Sequence, residues 1–222
     1  MNRKTDSQLQ DEVLRELRWD TRIGGADIGI AVTDGVVTLT GTITNYAKKL
    51  AAQNAAHRVN GVLDVANDIE VKLSDDERRT DTEIARAVRS VLEWDVLVPD
   101  RNIESTVSNG WVTLGGSVNS LHERDDAERP VWRLAGVRGV YNQLTVTAPK
   151  VAADDLRADI EDALERRADR EAERIRVEVN DGLVNLSGRV HSWQEKRAVI
   201  GSISHAPGVR EVRDQLRIDP YF

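Results

Sequence analysis

The 222-residue chain contains no cysteine, one methionine, one phenylalanine and five prolines, and aromatic residues make up 4% of it. Without cysteine there are no disulfides, no thiol chemistry and no Cys-based metal site, which fits a reducing compartment. Positive charge is also short: 31 Lys and Arg face 38 Asp and Glu, for a net charge of −7. Such a balance argues against nucleic acid, whose binders carry a basic face. It also removes simple polybasic attraction to anionic membranes. The opening stretch from Met1 to Gln8 lacks the apolar core of a signal peptide, so the expected location is the cytoplasm, and the periplasm only if a leader has been removed.

What the chain does have is a repeat. Laid over itself at offsets of 75 and 147 it matches without a gap: Leu9, Val13 and Leu17 return as Ile84, Val88 and Leu92, then as Leu156, Ile160 and Leu164. Such self-similarity has to be read before any other feature. It divides the chain into units of about 70 residues, each near the lower limit for an independent core. The linkers Ser74–Arg79 and Pro149–Ala152 are short, so the expectation is a compact triplet whose units lean on one another.

Each unit opens with one apolar stripe, spaced i, i+4, i+8, on a charged helix. Candidate N-caps are Ser7 or Asp6, Thr82 or Asp81, and Asp154 or Asp155. Two alternating runs then flank Asp34-Gly35, Asn109-Gly110 and Asp181-Gly182, the signature of a β-hairpin with a two-residue turn. Gly41, Gly116 and Gly188 are read as ending the second strand. A second helix starts at Tyr46, Leu121 and Trp193 and closes at Gly61, Gly136 and Gly208. A third strand carries Asn67, Asn142 and Asp214. The fold class is therefore α+β: three tandem α-β-β-α-β units, each a three-stranded sheet with two helices on one face. Pattern alone leaves open whether the third strand lies parallel to the second or antiparallel to the first. The polar residue at 67, 142 and 214 is expected to bond backbone near the glycine loop, with a ligand-binding amide as the alternative. Pro130 predicts a kink or an early stop in the second helix of unit two.

This run of apolar helix, Ile-x-Ile-x-Val, Asp-Gly-Val-Val-Thr-Leu-Thr-Gly, helix, then Gly-Val-x-x-Val-x-Asn-x-Ile-x-Val resembles the BON domain, a family named for bacterial OsmY and nodulation proteins. The resemblance covers residues 5–73, 80–148 and 152–220, although the third copy has Asp214 in place of asparagine. It implies an α/β binding module linked to osmotic and envelope stress, with phospholipid or a protein as partner and no catalysis.

No catalytic set stands out. His57, His122, His191 and His205 fall at four different positions of the repeat and are expected on surfaces or helix flanks. The acidic doublets Asp75-Asp76, Asp125-Asp126 and Asp154-Asp155 fit solvation and the helix dipole. Gly24-Gly25 is read as a turn. Neither a cofactor nor a metal is expected. Along the second helix, Lys49, Arg124 and Lys196 lie opposite Arg58, Arg133 and His205, so they form no continuous basic stripe.

The aromatics carry more information. By strand parity Trp111 and Tyr141 share the uncovered face of sheet two, where the other units have Val36 with Ala66 and Leu183 with Arg213. Either Trp111 packs on a neighbouring unit, or it is a docking surface for lipid or protein. Trp19 and Trp94 share one repeat position, with Arg166 third; they either close the helix-to-hairpin corner as core or anchor at a membrane interface. The reading is a non-enzymatic binding protein of osmotic-stress type that binds phospholipid surfaces; the alternative is a protein-protein adaptor or chaperone-like factor docking through the open sheet face of unit two.

Overall fold

A computed structural model describes residues 3–24, 27–75, 77–167 and 175–221. Gly25, Asp76 and the side chain of Arg166 lie outside the described residues. Unit one runs α1 (Asp6–Trp19), β1 (Ile28–Thr33), β2 (Val36–Ile43), α2 (Tyr46–Arg58), β3 (Asp64–Asn67) and β4 (Glu70–Val71). Unit two repeats this as α3 (Asp81–Trp94), β5 (Ile103–Ser108), β6 (Trp111–Val118), α4 (Leu121–Val131), β7 (Gly139–Asn142) and β8 (Thr145–Val146). Unit three has α5 (Ala153–Arg167), β9 (Ile175–Asn180), β10 (Leu183–Val190), α6 (Trp193–Ser204) and one unbroken last strand, β11 (Glu211–Ile218).

In every unit the hairpin pairs antiparallel, and the last strand joins the second strand in parallel. That resolves the open strand order in favour of a helical crossover. The first-helix stripe is buried in all three copies, together with Val37 and Leu39 and their counterparts Val112, Leu114, Val184 and Leu186.

Several local expectations change. The N-caps of α1 and α3 are Thr5 and Thr80, each accepting from the third helical residue, Gln8 or Glu83, whose side chain reaches back in a capping box. Asp6 and Asp81, expected as caps, are the first helical residues and turn outward to another partner described below. Gly41, Gly116 and Gly188 lie within the second strand rather than at its end. At Gly41 φ is +116°, and a Cβ would stand 2.4 Å from the carbonyl oxygen of Asp27, so only glycine fits. Helix α4 stops at Val131, two residues short of the point where α2 ends in repeat register, because Pro130 cannot continue the ladder.

The polar residue of the last strand does bond backbone, but near the start of the second helix, not at the glycine loop. Asn67 Nδ2 donates to the carbonyl of Lys49 at 3.1 Å, and Asn142 Nδ2 to that of Arg124 at 2.9 Å. The carboxylate of Asp214 cannot donate; it pairs with Lys196 Nζ at 2.7 Å.

The three units close into a ring. Tyr46, the first residue of α2, packs against the core of unit two, and its counterpart Leu121 is buried in the core of unit three. Trp193, the third counterpart, returns to unit one: it stacks on His57 with ring centroids 3.9 Å apart and donates from Nε1 to the Leu63 carbonyl at 3.2 Å. Further along the same helices, Ala47, Leu50 and Ala51 line a cavity of about 280 Å³ with Trp132, His122 meets His205 at 4.5 Å, and Arg197 meets His57 and Asn54. One surface of each unit thus meets one different surface of the next, a head-to-tail contact that closes after three steps. At the seam, the backbone N–H of Lys4 donates to the Tyr221 hydroxyl.

Candidate functional site

The helix-end tryptophans are not core. Trp19 and Trp94 are each 84% exposed. Two residues beyond Leu17 on a helix is about 200° around from the buried stripe, so Trp19 points away from the sheet. Ile23 and its counterpart Val98 fill the corner instead, at 3% and 6%. Beyond Trp94 the apolar surface continues through Val96, 96% exposed, and Leu97, 61% exposed. Trp19 and Trp94 occupy the same position of the repeat, at the end of the first helix of their units.

Trp111 and Tyr141 do come together. Their rings stack at 5.0 Å with an interplanar angle of 19°, and both remain substantially exposed. Sequence reasoning missed what seats them. Trp111 pairs with Gly139 across β6 and β7, and a Cβ on Gly139 would fall 2.2 Å from the indole Cζ3. The other units carry Asp64 and Glu211 there, so the glycine accompanies the indole in unit two alone. Trp111 meets the neighbouring unit along part of its surface: it lines a cleft of about 730 Å³ together with Asn67, Ile69 and Val71 from the end of unit one. Lys49, Lys72, Arg78 and Arg138 border the same cleft, with Asp68 and Glu70.

Charged groups expected at the surface are partly inside. His57 is 5% exposed, not flanking, because Trp193 covers it. Burial first, then the nearby Arg197, lowers its pKa to about 4. Asp126, from a doublet expected to be solvated, is buried where the other units have Ala51 and Ala198. It faces His122 and Arg129, each 3.1 Å away. Asp20 is also buried: the Arg22 guanidinium, against a smaller opposing effect of burial and with help from Arg58, holds its carboxyl far below the usual range. Arg58 bridges Glu16 and Asp20, and Lys196 bonds the Leu216 carbonyl. These second-helix cations are therefore committed to structure. Among the described residues, no group of three or more His, Asp or Glu is placed to hold a metal ion, and no helix is long and apolar enough to cross a membrane.

Comparison with known proteins agrees with the threefold pattern. The BON domain family model matches residues 5–72, 80–148 and 152–220. Osmotically-inducible protein Y of Escherichia coli (strain K12) is 29% identical over 143 residues, covering 63% of this chain and 71% of that protein. A protein of Anaplasma centrale described as "Uncharacterized protein in gshII 5'region" is 31% identical over 123 residues, 53% of this chain and 82% of that one. Among solved structures, the C-terminal domain of CdsD, a structural protein of the type III secretion system of Chlamydia trachomatis, is 11% identical and covers 98% of this chain and 100% of that chain. Its TM-score is 0.28, too low to carry a structural argument.

Proposed function

The chain belongs to the BON domain family, with three copies in tandem, and from that premise we propose that it is a non-enzymatic stress-response protein that docks on phospholipid surfaces. The observation that carries this reading is the pair of equivalent tryptophans, Trp19 and Trp94, each 84% exposed at the end of a first helix. Indole is suited to the headgroup region, where its ring is buried and its N–H stays wet. Val96 and Leu97 deepen the second tip, whereas Thr21 and Arg22 stand at those positions in unit one, so unit two inserts further. With a net charge of −7, attraction to anionic lipid is not the driving term. Osmotic induction, which is in the name of the Escherichia coli relative, fits a protein that answers osmotic stress.

Co-sedimentation with phosphatidylcholine vesicles tests the reading. Trp94→Ala should lower the partition coefficient about tenfold, equivalent to about 1.4 kcal/mol, and Trp19→Ala by less. Raising the salt concentration should change little. Absence of binding to any vesicle, neutral or anionic, overturns it.

A second reading, a protein adaptor, is favoured by the Trp111–Tyr141 stack on Gly139, an apolar surface built in one unit only. In that case Trp111→Ala weakens partner capture while leaving vesicle binding unchanged, and loss of both together counts against it.

A further inference from the structure

The hairpin turns of units one and two each hold an anion that belongs to the chain itself. Asp6 accepts from the backbone N–H groups of Asp34 and Gly35 at 2.9 and 3.0 Å, and Asp81 from those of Asn109 and Gly110 at 2.8 and 2.9 Å. Both central residues of each turn have positive φ, which aims two consecutive N–H groups at one carboxylate. In unit three the residue at this position is Ala153, and it is exposed. The turn is otherwise the same: Asp181 and Gly182 have φ of 45° and 78°, against 51° and 79° in unit one. Gly182 is a buried residue, yet neither its N–H nor that of Asp181 has an acceptor among the described residues. A buried donor of this kind ordinarily finds a partner.

The surroundings favour a negative group. Lys150 Nζ and Arg210 Nη1 lie 4.0 and 3.5 Å from the Asp181 carboxylate, while Arg210 Nε and Nη2 are fixed on the Ala148 carbonyl. The threonine caps of α1 and α3 are also replaced, by Ala152, so the positive end of α5 adds to the same field. The opposing charges are Asp181 itself and Asp154 and Asp155 in the first turn of α5; Asp34 occupies the position of Asp181 in unit one and does not prevent Asp6 from docking.

We propose that the Asp181-Gly182 turn binds a phosphate group, which supplies from solution or from a lipid headgroup the oxygen pair that Asp6 and Asp81 supply elsewhere. This site stands independently of the tryptophan tips. Amide NMR of the full chain, titrated with inorganic phosphate at constant ionic strength, reads it directly. The Gly182 and Asp181 amides should shift and saturate, while Gly35 and Gly110 stay put. Ala153→Asp fills the turn from within and should abolish the response. Asp81→Ala should create a second responding turn at Asn109-Gly110, and Asp181→Asn should tighten binding several-fold. A response at Gly182 that does not saturate, or that survives Ala153→Asp, overturns the proposal. Vesicles containing phosphatidic acid separate the two sources: if Ala153→Asp lowers sedimentation the headgroup is a ligand, and if it does not while the phosphate titration saturates, free phosphate is. In either arm the tryptophan variants are scored separately, on phosphatidylcholine alone, so failure of one reading leaves the other standing.

Discussion

Asp6 shows how one side chain can join two elements. As the first residue of α1 it meets the positive end of the helix dipole, and its two oxygens hold the β1–β2 turn. Asp6→Ala should cost about 1 kcal/mol, the scale of a lost capping interaction, seen as a lower urea midpoint with an unchanged slope. Asp20 makes a different prediction. Its carboxyl is held far below its ordinary pKa by Arg22, with Arg58 helping against burial. Its contribution is therefore fully present above the unfolded value near 4 and is lost as pH falls below it. Asp20→Asn should weaken the protein at neutral pH and flatten its urea midpoint against pH below about 4. An unchanged acid limb would show that other carboxylates dominate.

At the level of elements, the sequence was legible wherever the cause was local. The stripe Leu9, Val13, Leu17 follows from helix periodicity, and Asp34-Gly35 from the need for positive φ, so helices and hairpins could be read directly. Strand order could not, because β3 beside β2 and β3 beside β1 leave the same alternation in the chain. The seat of the aromatic pair was hidden for a related reason: Gly139 matters only because β7 lies in register with β6, placing it beneath Trp111. Its absence from the equivalent positions, Asp64 and Glu211, was a signal available in the sequence. Gly139→Ala puts a methyl group where the indole lies, so the ring must lift. Trp111 emission, read with Trp19, Trp94, Trp132 and Trp193 replaced by Phe, should then shift, and stability should fall by about 1 kcal/mol or more. Unchanged emission would mean that the indole does not rest there.

The whole molecule depends on closing a ring with three unlike joints, and the joint between units three and one buries a histidine. There His57 lies under Trp193 with Arg197 2.7 Å from Nδ1, and its Nε2 is buried without a hydrogen-bond partner. Asp64 pulls its pKa up, but burial, Arg197 and Lys196 outweigh it and lower the value to about 4. The unfolded chain, with histidine near 6.5, binds the proton first. Between about 6.5 and 4 the unfolded state therefore holds more protons than the native one, and stability falls as pH falls through that window. At about 1.4 kcal/mol per pH unit, the loss approaches roughly 3 kcal/mol at the lower end. Because His57 belongs to unit one and its cover to unit three, opening the seam relieves much of this burden without unfolding either core. Hydrogen exchange at pH 4.5 should accordingly rise first at the start of α6 and the end of α2, before the β2 and β10 ladders. His57→Phe keeps an aromatic partner for Trp193 and removes the titration, so its urea midpoint should stay nearly level from pH 7 to 4.5 where the parent declines. Equal decline in both proteins would place the acid sensitivity elsewhere, with the His122–His205 contact of the neighbouring joint the next to test.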